Sequence, residues 1–315
     1  MLRPTVLTIG NFDAVHKGHA ALIHRARAIA GEGARVVALA FDPHPISQIV
    51  PGREPPRLST FSQRETWLRQ AGADEVHRLE PTPDLLSQTP ESFIHQMVGR
   101  FAPTAIVEGP DFHFGRARSG TISTLSELGR RHAFEVVIVP PVEADLTDQS
   151  IVTASSSIIR WLLSHARVRD VARVTGRPYE VEGLVVRGDQ RGRTIGFPTA
   201  NLQTPLMPPA DGVYAGIAIL PDGRSRPAAV HVGPRATFDA PMRTIEPFIL
   251  DWDGPVSEGA PEYDWPLRLR FIAWLRDQAR FDSVDALVEQ MHHDVARTRD
   301  IIARELAATP EEISA

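Results

Sequence analysis

Thr5-Val6-Leu7-Thr8-Ile9-Gly10-Asn11-Phe12-Asp13-Ala14-Val15-His16-Lys17-Gly18-His19 decides the reading of the first half of this chain. Thr5–Gly10 is a short apolar run of the kind a buried strand needs. From Gly18 to Ala30, residues Leu22, Ile23, Ala26, Ile29 and Ala30 recur on one helical face. A strand that turns through Gly10, Asn11, Phe12 and Asp13 into a helix opens a βα unit. The N-terminus of such a helix presents unpaired N–H groups and a partial positive charge, so it attracts phosphate. His16 and His19 add donors at that end, and Gly18 lets the backbone come close to a ligand. The usual phosphate-binding rivals are missing. No G-x-x-x-x-G-K-[ST] string occurs, and Gly31-Glu32-Gly33 lacks the third glycine of a dinucleotide fingerprint.

The rhythm continues outward from this stretch. Arg35–Phe41 and Thr104–Val107 read as strands buried on both faces, and Phe134–Val139 as another. Helices are predicted around Phe61–Leu68, capped by Ser59 or Thr60, around Phe93–Phe101 and through Leu125 and Leu128. A β-α-β-α order predicts an α/β doubly wound parallel sheet with its site at the carboxyl ends of the strands. Three further segments are expected on that face: Phe41-Asp42-Pro43-His44-Pro45, then Glu108-Gly109-Pro110-Asp111-Phe112-His113-Phe114-Gly115, then Ser155-Ser156-Ser157-Ile158-Ile159-Arg160.

After about residue 178 the pattern changes. Glu180–Arg187, Gly212–Leu220, Arg226–Val232, Thr244–Asp251 and Leu267–Ala273 are strand candidates separated by Gly, Pro and Asp. They predict a small antiparallel β-barrel, followed by a long C-terminal helix from about Ser283. The division is expected as 1–178, ending in a linker helix within Ser164–Arg177, and 179–315. The densest stretch of the second half is Gly188-Asp189-Gln190-Arg191-Gly192-Arg193-Thr194-Ile195-Gly196-Phe197-Pro198-Thr199-Ala200-Asn201. Its glycines and basic groups suit a loop folded over polyphosphate, and Thr199 and Asn201 offer oxygens to a hard cation such as Mg²⁺.

Composition narrows the field. At 315 residues the chain has room for two cores, and its 42% hydrophobic and 23% charged residues are ordinary globular values. Net charge is −5, from 34 basic against 39 acidic side chains, which argues against a nucleic-acid binder. No apolar run approaches the ~20 residues of a membrane span. The start enters a strand directly, without a cleavable apolar leader, so a cytoplasmic protein with no membrane partner is expected. Zero cysteines exclude disulfides, thiolate metal sites and a cysteine nucleophile.

These strings resemble, in order, the motifs of the bacterial bifunctional riboflavin kinase/FMN adenylyltransferase family: G-N-F-D-G-V-H-x-G-H, F-x-P-H-P, G-x-D-F-x-F-G, S-S-T-x-I-R and G-R-x-[IL]-G-F-P-T-A-N. The resemblance implies a Rossmann-like nucleotidyltransferase domain followed by a riboflavin kinase barrel. It implies riboflavin, FMN, FAD and ATP as ligands, with Mg²⁺ as the cofactor. Carried over residue by residue, His16, His19 and Asn11 contact the ATP phosphates, with Gly10, Phe12, Gly18 and Ser155 beside them. Ser156 and Arg160 neutralise the departing pyrophosphate, and Asp111 and Phe112 line the flavin or adenine side. In the second half Gly192, Arg193, Gly196 and Pro198 hold ATP, and Thr199 and Asn201 hold the metal. Glu246 is the base, and Arg276 lies on the flavin side. Oligomeric state is not implied.

Departures cluster in the kinase half. Ala14 and Asp264 stand where the family has glycine, His231 where it has Asn, Ala236 where it has Pro, and Pro247 follows Glu246 directly, which suggests an edge or bulged strand. Three readings therefore stand at this point: both activities, adenylyl transfer with an impaired kinase, or a non-catalytic flavin- or nucleotide-binding regulator.

Overall fold

A computed structural model describes residues 4–188, 192, 195–234, 243–252 and 262–308. In the first half, strands β1 (Thr5–Gly10), β2 (Arg35–Phe41), β3 (Glu75–Leu79), β4 (Pro103–Glu108) and β5 (Glu135–Ile138) form one sheet. The order is β3-β2-β1-β4-β5, and every pairing is parallel. Helices α1 (Lys17–Ala30), α2 (Ile46–Ile49), α3 (Phe61–Gln70), α4 (Pro83–Leu86), α5 (Pro90–Phe101) and α6 (Ile122–His132) connect them. One apolar cluster joins α1 and α3 to the sheet through Phe12, Ile23, Ala26, Val36 and Leu68. The other joins α5 and α6 to it through Leu7, Leu39, Ile94, Met97 and Leu125. Strands covered on both sides are why β1 and β2 read as unbroken apolar runs. From β1 the chain winds toward β3 on one side, then returns to place β4 on the other side of β1. The β1/β4 boundary is thus the switch point, where the crevice of such a sheet opens.

Short strands β6 (Glu143–Asp145) and β7 (Ile151–Thr153) form a hairpin, and α7 (Ser156–Ser164) and α8 (Val168–Thr175) follow. The compact units are Met1–Asp145 with Ile151–Ser156, and Leu146–Ser150 with Ser157–Ala315. The helix expected within Ser164–Arg177 is α8, and it packs on the barrel strands that follow it.

The second unit holds β8 (Tyr179–Val186), β9 (Asn201–Gln203), β10 (Gly212–Ile219), β11 (Ser225–Pro234), β12 (Arg243–Ile249) and β13 (Trp265–Arg276), then α9 (Val284–Ala308). The strands close a barrel in the order β10-β11-β12-β9-β8-β13. Ile301 and Ile302 of α9 pack on the apolar face formed by Val213, Ala215, Ile272 and Leu275.

Pro247 does not lie on an edge strand, as its sequence suggested: β12 is paired on both sides. The Pro247 carbonyl accepts from Ala200 N–H at 3.0 Å, on the β9 side. In a strand the N and C=O of one residue face the same way, so the donor that proline lacks also falls on that side. There the ladder is a single pair, Ile245 with Leu202, and little is lost.

Candidate active sites

The first site is built on the β1–α1 turn. His16 caps α1, its Nδ1 accepting His19 N–H at 3.4 Å. An Nδ1 that accepts carries no proton, so the neutral ring bears its proton on Nε2. The His16 and His19 rings stack with centroids 3.6 Å apart, and His19 also meets the edge of Phe12 at 5.1 Å. Gly18 faces the same ring: a Cβ there would stand 3.1 Å from His16 Nδ1.

The turn itself is strained and heavily braced. Phe12, Ala14 and Val15 all have positive φ, at 50°, 67° and 39°. Such residues cost about 1–3 kcal/mol each and persist only where their surroundings dictate them. Here the Asp13 carboxylate accepts from the N–H groups of Leu58 and Ser59 and from the Ser59 hydroxyl, at 2.9–3.2 Å. Ser59 Oγ in turn accepts Ala14 N–H at 2.9 Å. Ser59 therefore holds the turn, and it is Thr60 that caps α3, in a box with Gln63. From the other side Ser156 Oγ donates to the Asp13 carbonyl at 2.9 Å. That hydrogen is committed to the backbone, which makes Ser156 a brace of the loop rather than a free donor to pyrophosphate.

Beneath the turn lies Arg64, 4% exposed. Its Nη1 donates to the carbonyls of Asn11 and Phe41 at 2.8 and 2.7 Å, and its Nη2 to Asp42 Oδ1 at 2.6 Å. It ties the end of β1 to the end of β2. Burial lowers the affinity of Arg64 for its proton, and Asp42 and Asp13 oppose that effect. Across the switch point Glu108 is 2% exposed, and its Oε1 accepts Ile9 N–H at 2.7 Å. Desolvation raises its pKa well above the ordinary carboxylate range, against the pull of that N–H. Gly10 ends β1 beside the Phe12 ring. Asp111 is exposed after β4, while Phe112 stacks on Phe114 at 5.4 Å and packs into the core. Ser155 is half-buried just before α7, and Arg160 follows on that helix within the residues of the second compact unit.

The second site is a cavity of about 300 Å³ lined by Gly192, Phe197, Thr199, His231, Glu246 and Arg276, with the apolar side chains Leu287, Met291 and Val295 of α9. Two glycines of the G-x-x-x-G-x-x-x-G spacing have a steric reason. A Cβ at Gly192 would fall 2.1 Å from the Phe197 carbonyl oxygen, and one at Gly188 would fall 2.0 Å from Asn201 Nδ2. Gly192 O accepts Phe197 N–H at 2.8 Å, closing the loop, and Gly196 has φ of 83°. Pro198 is exposed between Phe197 and Thr199. Arg193, with Arg191 and Thr194, lies outside the described residues, as does Ala236.

Glu246 is half-buried, its Oε1 accepting the Thr244 hydroxyl at 2.9 Å. Opposite it, His231 Nε2 lies 3.1 Å from Gln278 Nε2. Arg276 does not offer a free cation to a flavin. Its guanidinium grips Asp294 of α9 through Nε at 3.0 and 3.1 Å and Nη2 at 2.7 Å. Asp294 also accepts from Gln290 at 3.0 Å.

Comparison with known proteins agrees with this division. The FAD synthetase family matches residues 1–154 and the riboflavin kinase family residues 175–302. The bifunctional riboflavin kinase/FMN adenylyltransferase of Pseudomonas fluorescens is 33% identical, over 96% of this chain and 94% of that one. The chain belongs to the bifunctional riboflavin kinase/FMN adenylyltransferase family. The Listeria monocytogenes member is 29% identical over 95% of this chain and 93% of its own. A crystal structure described as a macrolide-efflux protein from Streptococcus pneumoniae superimposes with a TM-score of 0.82, at 30% identity and 95% coverage of each chain. That description stays with that protein; among the described residues here, no helix is long and apolar enough to cross a membrane.

As a member of this family the enzyme phosphorylates riboflavin to FMN with ATP, then transfers AMP from ATP to FMN, giving FAD and pyrophosphate. Enzymes of these families generally pair ATP with a divalent metal. Nothing in the comparisons favours an adenylyltransferase with a failed kinase or a non-catalytic regulator. Sequence reasoning did not find Arg64, Ser59 as a brace, Gln278 or Asp294. Each acts through a partner that only folding supplies.

Proposed function

We propose that the His16/His19 turn is where adenylyl transfer occurs and the Glu246 cavity is where riboflavin is phosphorylated, with residues 1–178 and 179–315 as the functional halves. The observation that carries the first assignment is the α1 terminus itself. A phosphate seated there meets the N–H groups of the α1 terminus, beside the stacked rings of His16 and His19. FMN brings a phosphate that is already an anionic nucleophile. Its oxygen attacks the α-phosphorus of ATP, the bond to the β-phosphate oxygen breaks, and pyrophosphate leaves. The protein needs to position the two and neutralise charge, not to remove a proton.

The kinase step differs, because an alcohol must lose its proton to attack the γ-phosphorus. Glu246 faces the cavity and takes that proton. Thr199 and Asn201 present hard oxygens, the donor type that suits Mg²⁺. Held by these oxygens, Mg²⁺ would neutralise charge on the transferring phosphate. We assign the enzyme to the cytoplasm.

The test is His19→Ala, assayed with riboflavin, ATP and Mg²⁺ by chromatography of the flavins. FAD formation falls about 100-fold or more while FMN accumulates. Equal loss of both products would refute two separate sites.

A further inference from the structure

Gln278 lies two residues past the end of β13 and sends its carboxamide back to β11. Its Nε2 donates to the Val232 carbonyl at 2.9 Å and lies 3.1 Å from His231 Nε2. A carbonyl only accepts, so the Val232 contact fixes which end of the carboxamide carries the hydrogens. One hydrogen of the NH₂ serves Val232, which leaves the other for the ring. His231 Nε2 must therefore accept, and the neutral imidazole carries its proton on Nδ1. Gly233 makes room for this contact. A Cβ there would stand 2.0 Å from Gln278 Nε2 and 2.9 Å from His231 Cε1.

The ring held in this way stands directly opposite Glu246 of β12, and both side chains line the cavity. Two bases thus sit side by side where the reaction uses one. A second proton on His231 would set an imidazolium beside Glu246. Opposite charge at that range stabilises a carboxylate and makes it the weaker base. The other charges around the ring are themselves paired. Arg276 of β13 opposes protonation of His231, and it is bound to Asp294 of α9. Asp211, ahead of β10, favours protonation as Glu246 does, and Arg243 of β12 pairs with Asp211 at 3.0 Å. The group in contact with the ring nitrogen is the Gln278 NH₂, which cannot accept an N–H. We propose that Gln278 is a positioning residue for riboflavin phosphorylation: it holds His231 as the Nδ1–H tautomer and refuses it a second proton, so that Glu246 stays the base. This rests on reading Glu246 as the group that takes the proton of the flavin hydroxyl.

Nitrogen NMR of His231 in the whole enzyme near pH 8, assigned by comparison with His231→Asn, should show the Nδ1–H tautomer. Gln278→Glu replaces the donor with a carboxylate that accepts from Nε2–H, and so favours the imidazolium. Relative to the parent enzyme, its rate of riboflavin phosphorylation should fall about tenfold further at pH 6 than at pH 8. Gln278→Met, which keeps the length and removes the donor, should show the same trend more weakly. Combining Gln278→Glu with His231→Asn takes away the ring that titrates, and the extra loss at pH 6 should disappear. An Nε2–H tautomer, a Gln278→Glu enzyme that loses no more at pH 6 than at pH 8, or an extra loss that persists without His231 would overturn the proposal. Failure of the underlying reading shows separately, as a Glu246→Gln enzyme that phosphorylates riboflavin at the normal rate.

Discussion

His231 of β11 stands directly opposite Glu246 of β12, and both side chains line the cavity that also contains Thr199 and Arg276. Residues facing across an antiparallel ladder share one side of the sheet, so a proton taken up by Glu246 arrives beside an imidazole. Glu246→Gln keeps the shape and the hydrogen bond from Thr244 but cannot take a proton. Riboflavin phosphorylation should fall about 100-fold or more, while FMN adenylylation changes less than about twofold. Rates of the two half-reactions measured separately decide it; a kinase of normal rate in this variant means the base lies elsewhere.

The same imidazole gives the fold a pH dependence. Burial lowers the His231 pKa below 6.5; Glu246 and Asp211 pull it upward, and Arg276 pushes it further down. The unfolded chain therefore binds a proton near pH 6.5 that the folded protein refuses. Stability falls as pH drops from about 6.5 toward the lower folded value. His231→Asn, which restores the residue usual in the family, should lose less stability than the parent between pH 7.5 and pH 5.5. Thermal melts at both pH values test this, and parallel losses would show that His231 is not the group responsible.

Glu108 works in the opposite direction. Its folded pKa is raised above 4.5, mainly by burial, so the folded carboxyl keeps a proton that the unfolded one surrenders. Its contribution is present below pH 4.5 and is lost as pH rises through the folded value. Glu108→Gln accepts Ile9 N–H equally well and never ionises. The variant should be the more stable protein at pH 8, with the gap closing near pH 4. Urea unfolding at the two pH values measures it; a variant weaker at pH 8 contradicts the assignment.

The Arg276–Asp294 pair joins β13 to α9 at the cavity wall, with the Asp294 side chain 4% exposed and that of Arg276 21%. Removing one partner of a mostly buried pair leaves a charge without compensation, at about 3 kcal/mol. Asp294→Ala should lower the melting temperature of the protein and weaken riboflavin phosphorylation. Calorimetry of the full chain tests this, and an unchanged melting profile would mean that Arg276 finds water instead.

Ala14 shows how magnitudes settle an odd residue. Its φ of 67° costs about 1 kcal/mol relative to glycine, yet its side chain is 3% exposed. Burying that methyl returns about 0.8 kcal/mol, and alanine loses less backbone entropy on folding. The two effects nearly cancel, so alanine is tolerated where the family has glycine.

Much of this molecule was written in local pattern. Thr5–Gly10 and Arg35–Phe41 are legible because a strand covered on both faces must be apolar throughout, and Gly212–Ile219 is buried at every position. His16, His19, Thr199 and Glu246 were singled out by their match to family strings; the fold puts the first two on one turn and the last two in the lining of one cavity. Glu75–Leu79 was not, since an outer strand carrying Glu75, His77 and Arg78 shows no apolar run, and Asn201–Gln203 is too short to show any period.

What tertiary structure alone decided is which charged and polar side chains are internal. Arg64 reaches Asn11 across 53 residues of chain and Asp294 reaches Arg276 across 18, and each side chain taken singly is hydrophilic. Only a full set of partners makes burial of such groups stable, and those partners are assembled by the fold. The chain by itself therefore determined the buried strands, the main helices and the chemistry available. What neutralises Arg276 and what braces the Asp13 turn were settled only in three dimensions, because hydrogen bonds between distant residues leave no periodic trace in sequence.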